Sequence, residues 1–153
     1  MSRLQLALNV DDIETAIADD SKIFGVGPAK VRPGYANFAI SSPPLKLVLL
    51  ENPNADDSIN HLGVEVEPVD EVRAEHARVT EDGVSVHVEG EAVCCYAVQD
   101  KFSVEGGDHK FEFYTVLADA DQMKNTPKSL EARPVADVVE QRGSCCAPTP
   151  VSR

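Results

Sequence analysis

The sequence predicts an α+β domain in which two tandem βαβββ modules pair into one curved, mixed sheet around a cleft. Three observations predict it. The chain has 153 residues, of which 42% are hydrophobic and 26% charged, enough for one core shared by two small modules. Apolar residues first alternate over a short stretch and then recur at helical spacing. The same succession of patterns begins again in the second half of the chain.

The first module begins with residues 4–10, whose alternating leucines and valine predict a half-buried strand. Asp11 or Asp12 then caps a helix that runs to about Ile23 and ends at Gly25. Turn residues separate the three short strands that follow, predicted at residues 30–32, 35–40 and 46–51.

The second module repeats this order after a polar linker over residues 52–58. Alternation over residues 60–66 predicts a strand, and residues 70–80 show helical spacing. The strands that complete the module are predicted at residues 84–89, 95–99, 102–104 and 110–117. The predicted units are therefore a domain over residues 1–118, with modules of about 1–52 and 59–118, and a flexible C-terminal tail over 119–153.

Aligning the two modules places Gln5 on His61, each on the face of its strand that is opposite the apolar residues. Since the apolar faces of the strands must pack against the helices, these two side chains are expected in the cleft, together with Glu112 and Tyr114 of the last strand. An amide, an imidazole and a carboxylate that meet in this way leave open metal positions for oxygen or substrate, as in non-haem ferrous oxygenases. Each residue alone also has an ordinary interpretation: an exposed Gln5, a core histidine at 61, and a solvated Glu112.

Four cysteines fall as two adjacent pairs, Cys94-Cys95 and Cys145-Cys146. Neighbouring cysteines close only a strained ring when oxidised, whereas a reduced pair is a good two-point ligand for a soft centre. Because neighbouring side chains of a regular strand point to opposite faces, Cys94 and Cys95 are expected on a loop or an irregular strand start. The alternative is that they are two small, buried, apolar residues.

Charge excludes several classes of partner. The net charge is −12 and no basic run is present, so binding to nucleic acid or to an acidic membrane surface is not expected. The apolar N-terminal stretch is too short for a signal segment, and no run has the length of a transmembrane helix. The remaining partners are a small molecule or a metal. The protein is expected to be cytoplasmic, where its thiols stay reduced.

Six segments carry a resemblance to a known family: LQLALNVDD, KVRPGYANFAI, PPLKLVLLENP, NHLGVEV, CCYAVQDK and FEFYTVLADA. Over these segments the chain resembles the vicinal-oxygen-chelate (glyoxalase/bleomycin resistance/extradiol dioxygenase) superfamily, and within it the C–As lyase/cadmium-induced protein family. The resemblance implies the vicinal-oxygen-chelate fold. It also implies that Gln5, His61 and Glu112 bind Fe(II), while Cys94 and Cys95 bind the arsenic of a substrate.

The function that the resemblance implies is cleavage of the carbon–arsenic bond in methyl- or aryl-arsenicals to arsenite, dependent on Fe(II) and O2. One alternative is a protein that sequesters cadmium or a metalloid without turnover. Another is a different dioxygenase or glyoxalase-type activity of the same fold, with incidental cysteines. The chain is expected to act as a monomer or a homodimer. Auxiliary roles in the site are expected for Tyr114, His87, Cys145 and Cys146.

One departure from the family pattern concerns the first helix. Asp19 and Asp20 stand where relatives usually carry an aromatic pair, and Asp20 falls on the apolar stripe. Because an unpaired buried carboxylate is costly, this helix is expected to fray early or to rotate.

Overall fold

A single mixed sheet dominates the computed structural model, which describes residues 2–124 of the chain. Within these residues, eight strands hydrogen-bond in the order β2-β3-β4-β1-β5-β8-β7-β6, and two helices cover the sheet. The elements are β1 (Arg3–Val10), α1 (Ile13–Phe24), β2 (Lys30–Arg32), β3 (Tyr35–Ser41), β4 (Pro44–Glu51), β5 (Ile59–Glu65), α2 (Val69–Glu81), β6 (Val86–Cys94), β7 (Ala97–Gly106) and β8 (His109–Asp119).

The two predicted modules are confirmed, and they meet at the centre of the sheet. Strand β1 of the first module pairs antiparallel with β5 of the second. Each of these strands has the last strand of its own module as a parallel neighbour on its other side, β4 beside β1 and β8 beside β5. Each module therefore contributes two of the four central strands, and side chains from both modules can meet on one face.

Apolar clusters on the helix side of the sheet explain why the opposite face is left for a site. In the first module, Phe38 and Leu49 are fully buried and pack with the alternating residues of β1 and with α1. In the second module, Phe102 and Val72 are buried in a cluster that includes Phe111 and Phe113. The leucines and phenylalanines predicted to face the helices do so, and the intervening residues of the central strands line the cleft.

Helix α1 begins and ends as predicted but does not fray. Asp12 is the N-cap and accepts a hydrogen bond from the Thr15 backbone N at 2.7 Å, and Gly25 ends the helix in a left-handed conformation with φ of 67°. The expected early fraying at Asp20 is wrong, because α1 continues for another turn to Phe24. No residue of α1 is fully buried, so the Asp20 carboxylate keeps part of its hydration; partial burial, and then the charge of Asp19, raise its pKa.

Several predicted boundaries in the second module differ from the structure. The strand predicted at 84–89 is β6, which runs from Val86 to Cys94. The strands predicted at 95–99 and 102–104 form one strand, β7, and Cys95 and Tyr96 belong to the turn before it. The predicted tail also begins too early: β8 continues to Asp119, and Met123 accepts a hydrogen bond from the Cys95 backbone N. Residues 125–153 lie outside the described residues. Neither helix of residues 2–124 is long and apolar enough to cross a membrane.

Candidate metal and thiol site

The three predicted ligands lie together on the cleft face of the central strands. Gln5 of β1, His61 of β5 and Glu112 of β8 are 6%, 3% and 2% exposed. Gln5 Nε2 lies 3.0 Å from His61 Nε2, and Glu112 Oε2 lies 3.5 Å from the same nitrogen. The sequence-based expectation that duplicated modules bring these side chains together therefore holds as geometry.

Gly63 creates the space in which the three side chains converge. It pairs with Gln5 across β1–β5 and with Glu112 across β5–β8, so it stands between them in the same row of the sheet. A Cβ at this position would lie 3.2 Å from Gln5 Cβ and 3.3 Å from both Gln5 Nε2 and Tyr114 Cε1. Sequence reasoning missed this residue, although a glycine inside an alternating strand is a signal of close approach.

Hydrogen bonds determine which nitrogen of His61 faces the cleft. Asn9 Nδ2 donates to the backbone carbonyl of Asp57, so Asn9 Oδ1 is free to accept a hydrogen bond from Asn60 Nδ2 at 2.9 Å. Asn60 Oδ1 is then the acceptor that faces His61 Nδ1 at 2.7 Å. His61 must donate from Nδ1, which leaves the Nε2 lone pair directed at Gln5 and Glu112. Burial, partly opposed by the charge of Glu112, lowers the His61 pKa, so the imidazole is neutral.

A second network holds Gln5 from the other side. The Tyr114 hydroxyl contacts Gln5 Oε1 and donates to Glu65 Oε2 at 2.9 Å. Glu65 is also paired with Lys46 at 2.9 Å and with Arg3 at 3.0 Å. Burial alone would raise the Glu65 pKa, but the charge and hydrogen bond of Lys46, the hydrogen bond from Tyr114 and the charge of Arg3 together outweigh burial and lower it. Burial, followed by the charge of Glu65, raises the Tyr114 pKa well above its ordinary value, so the phenol keeps its proton.

Glu112 is surrounded by cations but has a vacant acceptor. Lys101 is only 1% exposed. Its Nζ lies 3.1 Å from Glu89 Oε2 and 3.5 Å from Glu112 Oε2. Burial disfavours the ammonium form of Lys101, but the charges of Glu112 and Glu89 prevail and raise its pKa. Among the described residues, Glu112 Oε1 is buried and accepts no hydrogen bond, with Lys110 Nζ 3.5 Å away.

These atoms fit a divalent metal ion. The neutral imidazole directs a lone pair into the cleft, the carboxylate has an oxygen without a hydrogen bond, and the amide lies within reach of both. No group of three His, Cys, Asp or Glu side chains within residues 2–124 is arranged to hold a metal, so a metal at this position would need the neutral amide of Gln5 as its third ligand. A neutral imidazole, one carboxylate and one neutral amide would fill three coordination positions of such an ion. The other positions would be left for small molecules.

The cysteine pair lies where the backbone is irregular, as expected. Cys94 ends β6, and the next two residues form the hairpin turn to β7 with positive φ, 55° for Cys95 and 59° for Tyr96. This turn lets both sulfurs lie on the same side, 3.2 Å apart. That separation is too long for a bond between them. Cys95 is a buried free thiol, and Cys94 beside it is also buried.

Both cysteines pack on the cleft face of the sheet, the face that also carries the three predicted ligands. They belong to a buried cluster with Ala7 and Val48, and Ala7 is on the same strand face as Gln5 and pairs with His61.

A cavity of about 340 Å³ opens beside His61, at the end of the sheet where β5 and β8 begin. Its walls include Asp57, Asn60, Asp108 and Lys110. His61 therefore borders a space that a small molecule can enter from solvent, even though the ring is buried.

The residues expected to have auxiliary roles differ in their distance from the site. Tyr114 lies in the cleft and contacts Gln5, as expected for a residue of the site. His87 is exposed near the start of β6, and the structure does not bring it to the three ligands. Cys145 and Cys146 lie outside the described residues. Sequence reasoning missed Asn60, Glu65, Lys46 and Lys101, because their roles depend on partners in distant strands.

Comparisons with known proteins identify the family of the chain. The family model described as "Glyoxalase/Bleomycin resistance protein/Dioxygenase superfamily" matches residues 3–117. The chain is 55% identical over 129 residues to "Cadmium-induced protein CadI" of Mycobacterium tuberculosis, covering 84% of this chain and 85% of that protein. It is 51% identical over 136 residues to "Trivalent organoarsenical cleaving enzyme" of Thermomonospora curvata, covering 88% and 90%.

A solved structure shares the fold at low identity. The Mn(II)-bound glyoxalase from Novosphingobium aromaticivorans superimposes with a TM-score of 0.56 at 20% identity, over 80% of this chain and 42% of that chain. At this identity the likeness concerns the fold alone.

Proposed function

Because the chain belongs to the glyoxalase/bleomycin resistance protein/dioxygenase superfamily, we propose that it is an enzyme that cleaves the carbon–arsenic bond of trivalent organoarsenicals to release arsenite, using Fe(II) and dioxygen. The relative named for organoarsenical cleavage supports this substrate class. The observation that carries the proposal is the convergence of Gln5, His61 and Glu112 in a buried cleft beside the sulfurs of Cys94 and Cys95.

Hard and soft ligands are separated in this cleft, which suits a reaction that needs a metal and a thiophilic substrate at once. Gln5, His61 and Glu112 would hold the ferrous ion through oxygen and nitrogen, and the ion, when bound, supplies the redox chemistry that reduces dioxygen. Trivalent arsenic prefers sulfur, so Cys94 and Cys95 would hold the substrate. Because the protein would hold both the ion and the arsenical in place, the entropic cost of bringing the reacting groups together is reduced.

Capture of arsenic by two sulfurs requires that Cys94 and Cys95 are both reduced. A reducing, cytoplasmic setting would supply that state. The turn at Cys95 and Tyr96 then presents both thiols on one side, next to Ala7 on the cleft floor. Chelation by neighbouring thiols needs this irregular backbone, because a regular strand would direct one sulfur away from the cleft.

Electron balance defines the products for a methyl substituent. One CH3As(OH)2 and one O2 contain the same atoms as one As(OH)3 and one formaldehyde. The carbon–arsenic bond breaks, arsenic stays trivalent, and the methyl carbon supplies the four electrons that reduce dioxygen. No external reductant is then required for turnover.

The test uses the full-length protein, reduced with a phosphine because a dithiol would compete for arsenic, and loaded with Fe(II) without oxygen. Adding oxygen and a trivalent methylarsenical should release arsenite and formaldehyde in equal amounts. His61→Ala should abolish turnover, and Cys95→Ser should raise KM more than it lowers kcat. His76→Ala is the matched control, because His76 is on α2 and packs against Phe102, on the helix side of the sheet. Arsenite release by His61→Ala at the wild-type rate would show the proposal to be wrong.

A second candidate function is sequestration of cadmium, which the name of the mycobacterial relative favours. Cadmium is soft and prefers thiolates, so Cys95 and a reduced Cys94 would bind it without any reaction. Thiolate-to-cadmium absorbance that saturates at a fixed stoichiometry, disappears in Cys95→Ser, and accompanies no arsenite release would favour this function over the enzyme.

A further inference from the structure

The Tyr114 hydroxyl lies between two acceptors but has one proton to donate. On one side is Gln5 Oε1, and on the other is Glu65 Oε2 at 2.9 Å. Glu65 is held by Lys46 at 2.9 Å and by Arg3 at 3.0 Å, so it is a carboxylate that only accepts. The proton is therefore best placed toward Glu65, and the hydroxyl oxygen is left to accept a hydrogen bond from Gln5.

Gln5 can provide that hydrogen bond only by turning its amide. As the structure has it, Gln5 Nε2 is 3.0 Å from His61 Nε2, and the asparagine chain makes that imidazole nitrogen an acceptor. The Gln5 N–H group is thus required in two directions, by His61 on one side and by Tyr114 on the other. The amide satisfies one of these acceptors in each orientation.

A cation among Gln5, His61 and Glu112 removes this competition. The lone pair of His61 would then bind the cation and need no N–H donor, and a cation attracts the amide oxygen and not its nitrogen. Rotating the amide of Gln5 by half a turn directs Oε1 to the cation and Nε2 to the Tyr114 oxygen. In that arrangement the cation, the Gln5 amide, the Tyr114 hydroxyl and the Glu65 carboxylate form one continuous chain of donors and acceptors.

We propose that Tyr114 and Glu65 are positioning residues that select the metal-binding orientation of the Gln5 amide. The inference rests on the metal site of the proposed function and adds the residues that make a neutral amide a directed ligand. Lys46 and Arg3 act at the end of this chain, because they keep Glu65 as the acceptor that fixes the direction of the Tyr114 proton. Loss of such an outer partner typically weakens metal binding by about 10-fold to 100-fold.

The experiment measures Co(II) affinity of the full-length, reduced protein by titration followed through visible absorption, with no turnover involved. Tyr114→Phe should bind Co(II) about 10-fold to 100-fold more weakly than wild type. Glu65→Gln should weaken binding in the same direction, since an amide can donate to the Tyr114 oxygen and compete with Gln5. The matched control is Tyr35→Phe, which removes another buried hydroxyl, one that accepts a hydrogen bond from Asn37 at 2.8 Å, and should leave Co(II) affinity unchanged.

A double-mutant cycle separates orientation from general damage to the fold. A carboxylate has two equivalent oxygens, so in a Gln5→Glu background the effect of Tyr114→Phe on Co(II) affinity should be clearly smaller. Equal effects in both backgrounds, or wild-type affinity in Tyr114→Phe, would overturn the inference while leaving the metal site intact. Absence of Co(II) binding by the wild-type protein would instead overturn the metal site, and the proposed function and this inference with it.

Discussion

The Nε2 lone pair of His61 points into the cleft because a chain of hydrogen bonds fixes the tautomer of the ring. This chain starts at a backbone carbonyl, which can only accept. The backbone carbonyl of Asp57 can only accept, so the orientations of Asn9 and Asn60 follow in turn, and with them the tautomer of His61. At the scale of single residues, the site therefore depends on direction as much as on position. Gln5 illustrates the same point through Tyr114, since an amide has a donor end and an acceptor end.

Gly63→Ala should damage the site more than the fold. The new Cβ would lie 3.2–3.3 Å from Gln5 and Tyr114, so these side chains must shift, at a cost of about 1–3 kcal/mol. We expect a lower unfolding free energy in urea and weaker Co(II) binding. Gly27→Ala is the control, because a Cβ at Gly27 meets nothing within 4 Å. Undiminished Co(II) affinity in Gly63→Ala would contradict the role assigned to this space.

At the scale of elements, the hairpin between β6 and β7 presents sulfur to the cleft at the expense of backbone strain. Cys95 and Tyr96 both adopt positive φ, which non-glycine residues rarely do and which costs on the order of 1–3 kcal/mol each. Contacts from beyond β8 hold the turn: Met123 accepts from the Cys95 backbone N, and Ala120 donates to the Tyr96 carbonyl. The segment after β8 is thus part of the site's support.

Helix α1 contains a carboxylate that should reduce stability at neutral pH. The folded pKa of Asp20 is raised above its ordinary value of 3.8, by burial first and then by Asp19, so the ionised form is disfavoured in the folded state. Asp20→Asn should therefore stabilise the protein above the raised pKa. The gain should shrink as the pH falls through that pKa and vanish below about 3.8, where the carboxyl is protonated in both states.

Urea unfolding of Asp20→Asn and wild type at neutral and acidic pH measures this difference. Asp19→Asn is the control, because the Asp19 side chain is 64% exposed and should gain less. A gain for Asp20→Asn that is the same at both pH values would mean that the ionisation of Asp20 is not its cause.

At the scale of the whole molecule, the two modules share one sheet, and the candidate ligands come from both. Gln5 belongs to β1 of the first module, whereas His61 and Glu112 belong to β5 and β8 of the second. The only strands that join the modules are β1 and β5, which pair antiparallel in the part of the chain that the structure describes. An ion held by all three side chains would add a further connection between the modules.

Metal binding should consequently stabilise the whole domain. A ligand at a free concentration of 100 times its Kd stabilises the folded state by about 2.7 kcal/mol when it does not bind the unfolded chain. We expect Mn(II) or anaerobic Fe(II) to raise Tm, and a chelator to reverse the rise. His61→Ala should show no rise, because it removes a ligand from the second module. An equal rise in this variant would place the ion elsewhere.

The sequence by itself determined the duplication and the faces of the strands. Alternation in residues 4–10 and 60–66 put the leucines and valines of each strand toward a helix, so Gln5 and His61 had to face the other way, into the cleft. Local periodicity suffices for this, because successive side chains of any strand point to opposite faces. The irregular backbone at Cys94 and Cys95 followed from the same rule.

Only the tertiary structure decided how the strands align and what surrounds each ligand. Gly63 separates Gln5 from Glu112 because of the register of three strands, and Tyr114 reaches Gln5 across 109 positions of sequence. The continuation of α1 past Asp20 likewise depends on how much of that side chain the neighbouring elements cover. Registers and long-range hydrogen bonds are set by packing between distant segments, which no local pattern of residues records.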